Sequence, residues 1–159
     1  MDRLTRARRS WLMARIRGAH TKPEVEVRKR LHALGYRFRL HTRALPGKPD
    51  LTFPSRKKAI FVHGCYWHGH SCKYGRRQSK SSRAFWQNKL LTNQRRDRRV
   101  RRKLRLLGWE TLVIWECHIR KNRWEPRAVR FLEHAAMRSA LSPPTELALR
   151  DIRRSQTLR

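Results

Sequence analysis

Acidic residues are scarce in this chain. Eleven Asp and Glu stand against 41 Lys and Arg, a net charge of +30 over 159 residues. A chain so charged repels itself unless something anionic lies alongside. Nucleic acid is the first candidate and a membrane surface the second, with a merely solvated basic surface as the bland alternative. Arginine dominates over lysine, and its planar fork suits phosphate. Binding should therefore weaken steeply with salt, through counterion release. Long hydrophobic runs are also missing. No apolar stretch approaches the roughly 20 residues of a membrane span, and no apolar secretory segment accompanies the basic N-terminus. Cysteines number only three. That odd count argues against a disulfide framework and for a reducing compartment, so a cytoplasmic location is expected. The length suits one domain with a real core.

What is present is concentrated in Phe61-Val62-His63-Gly64-Cys65-Tyr66-Trp67-His68-Gly69-His70-Ser71-Cys72. These positions hold three of the eight histidines, two of the three cysteines and two adjacent aromatics. A core strand does not look like this, because each imidazole buried without a partner costs free energy. A solvated loop does not need Tyr66 beside Trp67. The stretch suggests a metal site and flat ring surface packed together.

The rest of the chain reads as scaffold. Residues 1–20 form a basic arm, helical in part. Thr21-Lys22-Pro23-Glu24 reads as a helix start, with Pro23 in the first turn and Glu24 at the capping-box position. Val27, Leu31 and Leu34 follow on one face and Gly35 closes the helix. The alternation over 36–41 predicts a half-buried strand. A turn at 45–49 leads to a second strand beginning at Asp50, and the apolar run 58–62 to a third, covered on both faces. Residues 73–83 read as a basic, Ser-rich loop. A long helix over 83–107, ended by Gly108, carries the stripe Trp86, Leu90, Asn93, Asp97, Val100, Leu104 and Leu107. Asn93 and Asp97 break its apolar rule. Residues 109–115 predict another strand, delivering Glu116 and Cys117, and 124–140 a final amphipathic helix. The order predicts an α/β fold, a mixed sheet flanked by helices. The domain is expected to occupy 1–141, with a basic, loose tail over 142–159.

Three constellations carry chemistry. Cys65, His70 and Cys72 leave a tetrahedral zinc one ligand short, and Cys117, at the end of a strand that can pair near Val62, would close a structural Cys₃His shell. The alternative is three unrelated buried thiols. With so few acids, each interior carboxylate invites a question. Asp50 reads as a turn residue, Asp97 as a salt-bridge partner and Glu24 as a cap; or the three converge with His63 and His68 around a hydrated Mg²⁺. Tyr66 and Trp67, with Met13 as companion, read either as core or as rings that wedge between base steps.

Pro49-Asp50 before a strand, the segment 61–72 and Trp115-Glu116-Cys117 together resemble the very short patch repair DNA mismatch endonucleases. The resemblance runs from about Met13 to Cys117, with residues 21–24, 45–50, Phe85-Trp86 and 93–97 in family order. It implies a restriction-endonuclease-like fold with a structural zinc site. It also implies nicking of double-stranded DNA on the 5′ side of the thymine in a T·G mismatch, the product of 5-methylcytosine deamination. By position, Asp50 resembles the magnesium-binding aspartate, with the Val62 carbonyl as second ligand. His68 resembles the catalytic histidine and His63 a supporting one. Glu24 and Asp97 resemble outer-sphere groups that hold metal-bound waters, and Cys65, His70, Cys72 and Cys117 the zinc ligands. Met13, Tyr66 and Trp67 resemble the wedge, and Asn93 is counted with them at the DNA. The superfamily's Asp/Glu-x-Lys is absent, Phe61-Val62-His63 standing in its place. Tyr66 occupies a position usually held by Phe. The family implies a bacterial, nucleoid-associated monomer working beside mismatch-repair factors and a cytosine methyltransferase, with no membrane partner. Two rivals remain: a non-catalytic, zinc-stabilised nucleic-acid-binding protein, and a restriction-type nuclease cutting matched sites.

Overall fold

Helix α1 spans Lys22–Ala33, with Pro23 in the first turn, where its missing N–H costs nothing. The computed structural model describes residues 19–76 and 83–134 and the isolated positions 5, 8, 11 and 15. Met13, most of the 1–20 arm, the 77–82 part of the basic loop, the 135–140 part of the last expected helix and the 142–159 tail lie outside the described residues. Glu24 reaches back from α1 one residue further than a capping box would. Its Oε2 accepts the His20 N–H at 2.9 Å and its Oε1 the Thr21 hydroxyl at 2.8 Å. Val27 and Leu31 are fully buried, but Leu34, expected on the same stripe, is 41% exposed. The chain is already leaving the helix there. Gly35 follows at φ +87°, and the Tyr36 N–H returns to the Leu31 carbonyl.

The sheet comprises β1 (Arg39–Leu40), β2 (Leu51–Phe53), β3 (Lys58–His63) and β4 (Glu110–Trp115), hydrogen-bonded in that order. The first two pairings are antiparallel; β3 and β4 run parallel, with Val62 opposite Ile114 and His63 opposite Trp115. The expected strand over 36–41 shrinks to Arg39–Leu40, both exposed on the edge. Tyr36 and Phe38 keep their alternation and pack on the core as half-buried rings. This is the expected mixed α/β architecture, of restriction-endonuclease-like form.

The crossover between β3 and β4 contains α2 (Cys65–His68) and the long α3 (Arg83–Leu106). After β4 come α4 (Glu116–Ile119) and α5 (Glu125–Glu133). One sheet face joins α1 and α5 in the core: Leu51, Phe53, Ile60, Leu112 and Ile114 meet Val27, Leu31, Ala128 and Leu132. Alternation turns His63 and Trp115 to the other face, toward α3. The predicted α3 stripe is its sheltered side, since Trp86, Leu90, Asn93, Asp97, Val100, Leu104 and Leu107 are all half-buried or buried. Gly108 ends the helix at φ +73°.

One fold device was not foreseen. The Lys58 ammonium, at a residue only 1% exposed, donates to the Phe131 carbonyl at 2.5 Å and to those of Leu132 and His134. Arg56 Nη1 donates to the Leu132 carbonyl at 2.8 Å. Two cations thus complement the carbonyl end of α5. No helix among the described residues is long and apolar enough to cross a membrane.

Candidate active site and metal centre

The parallel register sets the chemistry, because it carries the chain from β3 into α2 beside the chain from β4 into α4. Cys65 and Cys117 therefore meet, and the Cys117 N–H donates to Cys65 Sγ at 3.3 Å. Cys117 Sγ lies 3.4 Å from His70 Nδ1. One ligand atom from each of Cys65, His70, Cys72 and Cys117 falls within 4.8 Å of all the others. A tetrahedral zinc with Zn–S bonds of about 2.3 Å needs sulfurs about 3.8 Å apart, so the donor set fits. Burial pushes the Cys65 thiol up to about 12. A thiolate there needs a cation beside it. These four residues could hold a metal in a closed shell. Gly69 shapes the loop at φ +66°, and a Cβ there would press on Gln94 and Leu90 of α3. Trp115 stacks on His70 at 4.4 Å and meets His63 edge-on at 5.4 Å. Sequence reasoning had treated it as a strand residue beside Cys117.

A second cluster lies across Trp115. His68 Nδ1 donates to Asp97 Oδ2 at 2.6 Å, which leaves His68 Nε2 free to accept a proton. Its ring lies flat on that of His63, centroids 3.8 Å apart at 15°. His63 Nδ1 is 4.0 Å from the same Asp97 oxygen. Burial, reinforced by the neighbouring His68 charge, pulls His63 down to about 3, so it is a neutral imidazole at working pH. Burial alone would raise Asp97, but the His68 hydrogen bond and charge outweigh it and hold the carboxyl below its ordinary range. Asp97 is thus an ionised orienter of His68, its other oxygen 3.5 Å from Arg96 Nη2. The structure brings Asp97 to the two histidines, and not into one ligand cluster with Asp50.

Asp50 stands just before β2. Its Oδ2 accepts the Val62 N–H at 2.7 Å, which pins the carboxylate against the β3 main chain. Burial pushes it up to about 6, the Glu24 charge adding to this while Val62, Arg28 and His68 oppose it. A half-buried carboxyl whose ionised form is this costly is suited to a cation, which reverses the balance. Hard oxygen donors with room for water fit Mg²⁺. Glu24 is buried beneath, and its carboxylate already takes three protein donors: His20 N–H, the Thr21 hydroxyl and Arg28 Nη2 at 2.8 Å. That leaves about one of a carboxylate's ~4 acceptor positions for a water. The companions His20, Arg28 and His41 were missed. Among so many cations, one buried arginine gives no signal of its own.

The ring surface is larger than expected. Tyr66 and Trp67 meet edge to face at 5.1 Å, and both touch Trp86, at 5.7 and 5.9 Å. Phe85, 61% exposed, extends the patch at 5.3 Å from Trp86. Asn93, expected at the DNA, donates from Nδ2 to the Trp67 carbonyl at 2.9 Å, tying the ring-bearing turn to α3.

The mixed four-stranded sheet flanked by helices is that of the restriction-endonuclease-like class, with imidazoles at the end of β3 where that class usually carries a lysine. The family described as DNA mismatch endonuclease Vsr matches residues 1–74. Type II nicking enzyme V.XorIIP of Xanthomonas oryzae pv. oryzae is 48% identical over 118 residues, covering 74% of this chain and 86% of that protein. Type II nicking enzyme V.NmeAIP of Neisseria meningitidis serogroup A is 40% identical over 119 residues, 75% of this chain and 84% of that one. DNA mismatch endonuclease Vsr of Escherichia coli K12 is 37% identical over 115 residues, covering 72% and 73%. The chain belongs to the Vsr family of DNA mismatch endonucleases.

Proposed function

We propose that this protein nicks one strand of duplex DNA on the 5′ side of the thymine in a T·G mismatch, using Mg²⁺ for hydrolysis and Zn²⁺ for structure. The observation that carries the reading is the Asp97–His68 pair at 2.6 Å, with the Asp50 carboxylate pinned to the Val62 N–H of the strand that leads into the His68 turn. Asp50 and the Val62 carbonyl would hold the magnesium. Bound there, the ion supplies Lewis-acid polarisation of the scissile phosphate and offsets charge on the leaving oxygen.

The chain's own groups do the rest. His68 Nε2 takes the proton of the attacking water, while Asp97 fixes its tautomer and stabilises the imidazolium that forms. His63, neutral and stacked beneath, positions the phosphate. Glu24 and Asp97 order waters near the ion. Cys65, His70, Cys72 and Cys117 bind zinc, bracing the turn that carries His68. Tyr66 and Trp67, with Met13, enter the stack at the mismatch, while Asn93 holds the Trp67 main chain in place. The arm over 1–20 and the tail over 142–159 flank one endonuclease domain. A bacterial nucleoid setting beside mismatch-repair factors and a cytosine methyltransferase belongs to the same reading.

The test is a nicking assay on matched and T·G duplexes with Mg²⁺ or EDTA. A single nick beside the mismatched thymine, abolished by EDTA, is expected. Double-strand cleavage of the matched duplex would favour a restriction-type nuclease. Binding without cleavage under every condition would leave a non-catalytic DNA-binding protein.

A further inference from the structure

Arg28 lies on α1 beside Glu24 and is nearly as buried, at 9% exposed. Its guanidinium gathers three partners. Nη2 donates to Glu24 Oε2 at 2.8 Å and to His41 Nε2 at 2.9 Å, and Nη1 donates to His20 Nδ1 at 2.9 Å. An arginine can only donate. Both imidazole nitrogens facing it are therefore acceptors, and His41 carries its proton on Nδ1. That nitrogen lies 3.9 Å from Asp50 Oδ1. The other Asp50 oxygen is held by the Val62 N–H.

Two further observations bear on this group. His20 and His41 both sit at positive φ, +56° and +44°. Non-glycine residues held in that region cluster where function over-determines the backbone. Arg28 Nε is also the buried side-chain donor without a hydrogen-bond partner among the described residues. Leaving a donor on a buried cation unsatisfied costs free energy that packing alone does not return.

We propose that Arg28 is a positioning residue for the metal-binding carboxylate: it fixes the His41 tautomer that turns Nδ1–H toward Asp50 Oδ1, and so holds Asp50 in the orientation that receives the cation. This rests on Asp50 being a ligand, as proposed above. Arg28 ties Glu24, His20, His41 and Asp50 into one unit, so the N-terminal turn of α1 and the head of β2 move together. The residues beside a ligating carboxylate commonly change metal affinity by 10–100-fold when altered.

The test uses the full-length, zinc-loaded protein with a T·G duplex. Mn²⁺ binding is read by loss of the free-ion electron paramagnetic resonance signal, and the Mg²⁺ dependence of nicking is read in parallel. Arg28→Lys retains charge but cannot span three acceptors. His41→Asn tolerates the positive φ but cannot reach both Arg28 and Asp50. Each should raise the Mn²⁺ dissociation constant and the half-saturating Mg²⁺ by about tenfold, with a smaller change in the rate at saturating Mg²⁺. The double variant should be no worse than the weaker single one, because both break the same link. If Arg28→Lys fails to fold, His41→Asn carries the test alone. Asp50→Asn separates the two failures. Unchanged Mn²⁺ affinity in Asp50→Asn would overturn the ligand assignment and this inference with it. Loss of Mn²⁺ in Asp50→Asn, with wild-type affinity in Arg28→Lys and His41→Asn, would overturn this inference only.

Discussion

Two clusters of metal-ligand residues sit on either side of Trp115, and they are built in opposite ways. Cys65, His70, Cys72 and Cys117 turn inward on one another within 4.8 Å, leaving no side open. His63, His68 and Asp97 are equally close, but among the described residues one imidazole nitrogen of His68 is left uncommitted. The first arrangement could saturate a cation; the second leaves a proton acceptor beside the half-buried Asp97 carboxyl. Cys65 of the closed cluster and His68 of the open one begin and end the same helical turn, so under the proposed function a metal in the first would brace the histidine of the second. The difference separates rigidity from chemistry within one short segment.

Removing the open cluster's acceptor should have the largest effect. His68→Ala should lower nicking by ~10²–10⁴. Asp97→Asn should cost nearly as much, since an amide can favour the wrong tautomer, and the double variant should lose little more because the two act as a unit. Additive losses in single-turnover kinetics would mean that Asp97 works elsewhere. Breaking the closed cluster by Cys117→Ser should remove zinc and on the order of a few kcal/mol of stability together. Stoichiometric zinc by elemental analysis of that variant would show that the shell closes without Cys117.

The Asp50 environment sharpens the contrast through pH. Its carboxyl is pushed up to about 6 from 3.8, chiefly by burial. A raised carboxyl favours folding below the unfolded value and loses that contribution as pH rises from about 3.8 through about 6. Magnesium-free, zinc-loaded Asp50→Asn should therefore be more stable than the wild type in the same state at neutral pH, by on the order of 1–3 kcal/mol, with the gap closing toward pH 4. Denaturant midpoints at both pH values measure it. A gap that does not change with pH would mean that Asp50 ionises without cost. The smallest effect belongs to the rings. Trp67→Ala should weaken T·G preference more than general duplex affinity, by ~1–3 kcal/mol for a stacked base. Equal losses on matched and mismatched duplexes would argue against a wedge.

Much of this was legible because periodicity exposes contradictions. Asn93 and Asp97 fell on an otherwise apolar helical stripe, and a polar residue on a sheltered face must have a partner. Those partners proved to be the Trp67 carbonyl and His68. Cys117 was reachable for a similar reason, since an apolar strand can place its end beside Val62. What stayed hidden has no period. Arg28, His20 and His41 come together across a helix start and a turn, and nothing marks one buried guanidinium among 41 basic residues. The 36–41 strand was overread because alternation reports the Tyr36 and Phe38 rings, whereas pairing depends on where β2 begins. Leu34 kept the helical spacing after the helix had ended.

The central claim is that a half-buried carboxylate before β2 and an oriented imidazole after β3 hydrolyse one DNA phosphodiester between them. The most direct measurement compares wild type and Asp50→Asn at saturating Mg²⁺ on a T·G duplex, with cleavage and duplex binding followed on the same samples. The account predicts binding within a few-fold of wild type and no detectable nick. Cleavage at the wild-type rate by Asp50→Asn would contradict it.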